Sequence, residues 1–201
     1  MENILQVKSL TKMFGQNYAV NNVDMNINRG DIYGFIGRNG AGKTTLIRIL
    51  LGLCEKNSGE VELFGSTNLL EGRDKIGCII ENPAIFPKMT AKDNIIAQSK
   101  VVGIKLSNTE IDDLLKTVGL DSSMKKKTKD FSLGMKQRLS IAIALVGNPE
   151  FLVLDEPTNG LDPEGIRDIR NLILKLNREQ NITVLISSHI LGELHKLATR
   201  Y

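Results

Sequence analysis

The chain has 201 residues, 41% of them hydrophobic, which suffices for one sizeable core in a single domain. A formal net charge of +3 is too mild for an electrostatic grip on nucleic acid, so none is expected as a partner. No secretion signal is visible and no apolar run approaches the roughly 20 residues of a membrane span, so any link to a membrane must come through other subunits.

The N-terminal part alternates in hydrophobicity, as in residues 19–27, and predicts half-exposed antiparallel strands. Residues 32–36 are apolar and read as a buried strand. They run into Gly37, Arg38, Asn39, Gly40, Ala41, Gly42, Lys43 and Thr44, which fit the phosphate-loop pattern G-x-x-x-x-G-K-[ST]. An apolar stretch at 46–51 follows and reads as a helix. Glycines let backbone N–H groups wrap phosphate oxygens, and the helix N-terminus presents its positive dipole end to the anion. Lys43 supplies a mobile charge and Thr44 a hydroxyl suited to Mg²⁺, with Thr45 placed beside them. Arg38 is expected in solvent.

Cys54 and Cys78 lie in apolar contexts and read as reduced core residues of a cytosolic protein. Residues 77–80 form another apolar strand, ending in Glu81. Thr90 with Asp93, and Ser107 with Glu110, look like capped helix starts, so the middle of the chain is helical. Lys125, Lys126, Lys127 and Lys129 form a basic run that reads as a solvated loop. Ser132-Leu133-Gly134 comes next, at the start of a helical stretch expected over 135–146, so that the serine hydroxyl and nearby N–H groups can cap it and receive an anion.

Residues 151–154 are an apolar run ending in Asp155-Glu156-Pro157. A buried parallel strand would deliver both carboxylates to its C-terminal end, where ligands bind in open α/β sheets. Asp155 is suited to hold Mg²⁺ and Glu156 to orient or deprotonate an attacking water. Asp162-Pro163 reads as the N-cap and first turn of a further helix. Residues 182–186 form one more buried strand, followed by Ser187, Ser188 and His189. His195 reads as a surface residue.

These pieces, in this order, resemble the nucleotide-binding domain of ATP-binding cassette (ABC) transporters. Residues 37–44 match its Walker A, 151–156 its Walker B, 131–135 the signature usually written LSGGQ, and 159–162 the D-loop. His189 matches the switch histidine, and Phe14 falls where the family has an aromatic that stacks on adenine. The resemblance implies an α/β fold: a P-loop NTPase core of mostly parallel sheet, an N-terminal antiparallel β subdomain and an inserted α-helical subdomain. The implied domain is 1–201, with 1–87 and 149–201 as core and 88–148 as the helical subdomain carrying the signature. It implies ATP and Mg²⁺ as ligands, with Phe14, residues 37–45, Ser132 and Gly134 on the nucleotide and Thr44, Glu81 and Asp155 on the metal. Glu156 and His189 become the catalytic residues.

The family pairs two such domains head to tail, each ATP lying between one Walker A and the partner's signature. Separate transmembrane permease subunits would hold the pair at the cytoplasmic face of the cell membrane. Family members also continue with further strands, so truncation near Tyr201 is expected.

Glu81 departs from the family pattern, which has Gln after this strand. A carboxylate binds Mg²⁺ more strongly than an amide, yet repels phosphate when the metal is absent. This Glu, with residues 80–84 around it, resembles exporters for lantibiotic immunity and bacitracin resistance. The expected function is therefore the ATP-hydrolysing subunit of a bacterial exporter for a peptide antibiotic or related compound. The alternative is a non-transport ABC ATPase such as a cluster-assembly or translation-associated one.

Overall fold

The computed structural model describes residues 2–81 and 84–201. Asn82 and Pro83, part of the 80–84 segment, lie outside the described residues. Two long alternating strands, β1 (Asn3–Phe14) and β2 (Asn17–Asn28), open the chain as an antiparallel hairpin. β3 (Ile32–Ile36) leads into α1 (Lys43–Leu50), and β4 (Ser58–Leu63) then pairs antiparallel with the free side of β1. After the short α2 (Leu69–Arg73) comes β5 (Ile76–Ile79). Three helices follow: α3 (Ala91–Val101), α4 (Asn108–Thr117) and α5 (Leu133–Ala144). β6 (Phe151–Asp155), α6 (Pro163–Gln180), β7 (Thr183–Ser188) and the single turn α7 (Leu191–Leu194) complete the described elements.

The strands form two sheets, an antiparallel one in the order β2-β1-β4 and a parallel one in the order β3-β7-β6-β5. Side chains alternate across the parallel sheet, and this divides the interior in two. Leu152 and Leu154 of β6 and Val184 and Ile186 of β7 join the core made with the helices α3 to α6. Phe151, Val153 and Leu185 point the other way, into a second core with the antiparallel sheet and α1. Helix α1 contributes Leu46, Ile47, Ile49 and Leu50 to that second core, all nearly or fully buried. It is wedged between two sheets, which fixes its axis.

Local signals hold where they are strong. Thr90 and Ser107 make complete capping boxes with Asp93 and Glu110, and Asp162 caps α6 ahead of Pro163. Helix α5 begins at Leu133 rather than Met135, because Ser132 accepts from the Met135 N–H and so is itself the N-cap. The cysteine expectation is corrected: Cys54 is half-buried and Cys78 is exposed. Cys78 sits on β5, the edge of the parallel sheet, so one flank of the strand has no neighbour to cover it. Gly77, next to it, carries a tighter constraint. A Cβ there would lie 2.1 Å from the Ala144 carbonyl oxygen, so only glycine lets β5 meet the last turn of α5.

Arg29, between β2 and β3, ties the two sheets at their lower ends. Its guanidinium donates to Glu2 at 2.8 Å and pairs with Glu150 at 2.8 Å, while Lys75 pairs with Glu150 at 3.3 Å. Arg29, helped by Lys75 and against the opposing effect of burial, holds the Glu150 carboxyl below its ordinary 4.5, and it holds Glu2 down in the same way. Depressed carboxyls stabilise the fold above their unfolded value and lose that effect as pH falls through the folded one. Arg29→Ala should lower the Tm at pH 7, and the gap to the parent should close as pH drops below 4.5. A gap unchanged at pH 3 would show that Arg29 acts by packing instead. Ile47→Ala, at a fully buried position of α1, should cost about 2–5 kcal/mol in urea denaturation.

Candidate functional site: a phosphate-type loop facing two strand-end acids

Helices α3, α4, α5 and α6 each begin on a Ser, Thr or Asp whose side chain accepts a hydrogen bond from the first turn. Helix α1 begins on Gly42 with no side-chain acceptor and no acidic residue in its first turn. Its free N–H groups therefore face outward with their donor capacity and dipole uncompensated, which makes the end an anion site. Gly42 is required there twice over. Its φ is 89°, and a Cβ would fall 1.9 Å from the Ala19 carbonyl oxygen of β2.

Gly37 anchors the loop's start by donating its N–H to the Ser188 carbonyl at 3.3 Å. Lys43 is buried, and its ammonium donates to the Gly37 carbonyl at 2.6 Å and the Arg38 carbonyl at 3.2 Å. Its further partner is Glu156 Oε1 at 3.1 Å. Arg38 itself is exposed, as expected.

The acids arrive from β6. Asp155 is 2% exposed, and a lone carboxylate that deep would be costly, so it is fully engaged. Thr44 donates to Oδ2 at 2.6 Å, and the Ser187 hydroxyl donates to Oδ1. Ser187 also accepts the Glu156 N–H at 2.9 Å. One hydroxyl thus fixes both acids, because Ser187 stands opposite Asp155 in the β6–β7 register. Glu156 has a φ of 50°, a left-handed conformation uncommon for a residue with a side chain. That turn sets its carboxylate between Lys43 and His189, whose Nδ1 lies 2.6 Å from Oε2.

A cavity of about 510 Å³ collects Asn39, Gly40, Ala41, Gly42, Lys43, Thr44, Thr45, Glu81, Asp155 and Glu156. Gly37, Arg38 and His189 reach it through their bonds to Lys43 and Glu156. Size does not single it out, since clefts of about 640 and 670 Å³ lie elsewhere. Its uncapped helix and paired acids do.

Three expected residues stand apart from it. Phe14, 55% exposed at the end of β1, has the Lys12 ammonium 5.0 Å from its ring centroid and does not line this cavity. Ser132 and Gly134 line the separate cleft of about 670 Å³, beside Gly160 and Leu161.

Sequence reading had not singled out Ser187, Gln137 or Arg48 as site residues. Gln137 is buried and lines the cavity beside Leu133. Arg48 holds Glu81 at 2.7 Å. For Ser187 the sequence offers only its place at the end of an apolar strand; its pairing with Asp155 comes from the sheet.

Known proteins resemble this chain over nearly its whole length. The chain is 50% identical over 200 residues to the bacitracin transport ATP-binding protein BcrA of Bacillus licheniformis, covering 98% of this chain and 65% of that protein. It is 45% identical over 195 residues to the lantibiotic transport ATP-binding protein SrtF of Streptococcus pyogenes, covering 97% and 84% respectively. The chain thus spans less than two thirds of the length of the first of these relatives.

Among solved structures, cbiO1 of Clostridium perfringens, part of the ABC transporter complex cbiONQ, superposes with a TM-score of 0.86 at 30% identity, covering 98% of this chain and 83% of that one. The ATP-binding cassette MJ0796, a dimer in a post-hydrolysis state bound to ADP and Pi, superposes with a TM-score of 0.81 at 29% identity, covering 94% and 90%. The family model described as ABC transporter matches residues 20–159. With the uncapped loop helix and the two strand-end acids lining one cavity, the chain belongs to the ABC transporter family, as an ATP-binding domain.

Proposed function

We propose that this chain is the ATP-hydrolysing subunit of a bacterial ABC transporter, an exporter for a peptide antibiotic or related hydrophobic compound. The observation that carries the chemistry is Glu156, held between Lys43 and His189 beside an uncapped helix N-terminus. The transport reading is supported by the bacitracin and lantibiotic relatives.

The triphosphate lies on the loop of residues 37–45, on the N–H groups of α1. Lys43 exchanges its partners in the protein, the Gly37 and Arg38 carbonyls and Glu156 Oε1, for phosphate oxygens. That frees Glu156 Oε1 to accept the proton of an attacking water while His189 keeps Oε2 in place. Thr44, Asp155 and Glu81 are the residues that would hold Mg²⁺, an all-oxygen set that suits a hard cation. The bound ion would neutralise phosphate charge as the bond to the γ-phosphate breaks. Phe14 stacks on adenine by its exposed ring face.

A second copy completes the site. Ser132 accepts the Met135 N–H, which leaves its hydroxyl hydrogen free to donate to a phosphate of the partner's nucleotide. Gly134 opens the backbone beside it. One ATPase domain, with 1–87 and 149–201 as nucleotide core and 88–148 as helical subdomain, thus supplies half of each of two sites. Among the described residues no helix is long and apolar enough to cross a membrane. We assign membrane attachment to separate permease subunits, with this chain peripheral on the cytoplasmic face.

Glu156→Gln should slow steady-state ATP hydrolysis by about 100-fold or more while ATP still binds. Equal hydrolysis in parent and variant would remove Glu156 from the chemistry. The same variant, purified with ATP from detergent-solubilised membranes of the native host, should carry a polytopic membrane protein with it. Ribosomes or cluster-assembly proteins in its place would replace the transport reading and leave the ATPase chemistry standing.

A further inference from the structure

Glu81 and Glu156 occupy equivalent places just beyond the ends of neighbouring strands. Ile79 of β5 pairs with Leu154 of β6, and each glutamate stands two residues beyond its paired residue. Both are left-handed, with φ of 57° at Glu81 and 50° at Glu156. Both line the cavity, together with Asp155. Three carboxylates therefore line one cavity where a polyphosphate is to bind, without clustering tightly among the described residues, and like charges repel across it.

Two of the three have a cation of their own. Glu156 has Lys43, and Glu81 has Arg48, at 2.7 Å between Nη2 and Oε1. Arg48 follows Thr44 by four residues on α1, so the two side chains share a face of the helix one turn apart. The guanidinium can therefore hold the Glu81 carboxylate at the cavity rim, one turn from the hydroxyl that is itself bonded to Asp155. Arg48 does not line the cavity and is not placed to touch the nucleotide.

We propose that Arg48 is a positioning residue for Glu81, and that it sets how far nucleotide binding depends on a divalent cation. While Arg48 holds Glu81, the carboxylate charge is matched and phosphates can enter without metal. A divalent ion approaching Glu81 competes with Arg48 for the charge of that carboxylate, one oxygen of which Arg48 holds. The pair thus works as an exchange contact between guanidinium and metal, made possible by a carboxylate at this strand end. An amide there would carry no charge for Arg48 to match. The inference rests on the proposed ATP and Mg²⁺ site.

The test is the affinity of a fluorescent ATP analogue for the whole chain, measured once with excess EDTA and once with excess Mg²⁺. In Arg48→Gln, affinity in EDTA should fall by about tenfold, with little or no loss in Mg²⁺. Arg48→Lys should recover part of that loss. In the Glu81→Gln background, Arg48→Gln should change neither value. A loss that is equal in both buffers, or that persists in the Glu81→Gln background, overturns the proposal. Parent protein that binds no nucleotide in either buffer overturns the nucleotide reading itself. Both side chains are about half exposed, so the variants should fold, and unchanged thermal melts will verify it.

Discussion

The site depends on the fact that helix α1 has nowhere to go. Its buried residues pack into the core between the parallel and antiparallel sheets, and its first residue follows a glycine locked against the β2 backbone. A helix on a surface can shift by an ångström when its end is charged. This one is clamped along its length. Its N–H groups and dipole therefore form a fixed positive end, and pre-set donors cost no reorganisation when an anion arrives.

Against that fixed end the protein sets carboxylates of two kinds. Asp155 is buried and fully hydrogen-bonded, held from β7 and from α1 at once, so it serves as a rigid part of the frame. Glu81 and Glu156 lie in strained left-handed turns at the rim, each matched to a single cation. Backbone strain of about 1–3 kcal/mol per such residue persists only where the surroundings over-determine it. Here Ser187 does so for Glu156, by accepting its N–H. The division separates an acid fixed by hydroxyls from acids paired with cations.

Much of this was legible in the sequence because it is written locally. The phosphate loop, the caps at Thr90, Ser107 and Asp162 and the apolar strands before Gly37 and Asp155 are each contained in a few consecutive residues. The cap at Ser132 is legible, while the ends of α5 differ from the expected 135–146 by two residues, because the apolar pattern marks a helix's face better than its ends. What stayed hidden depends on strand order. That β5 is an edge, which exposes Cys78, follows only from the sheet topology. The Arg48–Glu81 pair joins residues 33 apart through two elements that meet only in the folded chain. Ser187 acts through a register that no single segment encodes.

The close approach of Gly77 to Ala144 has a mechanical consequence. It pins the C-terminal end of α5 to the edge of the parallel sheet, backbone against backbone. The opposite end of the same helix starts at Ser132, 12 helical residues away, or about 18 Å along the axis. A rod fastened at one end multiplies small tilts at the other. A tilt of about 10° about the Gly77 contact displaces Ser132 by roughly 3 Å, the length of a hydrogen bond. A side chain at position 77 would push on the fixed end of α5, and the tilt it forced would be felt most at Ser132.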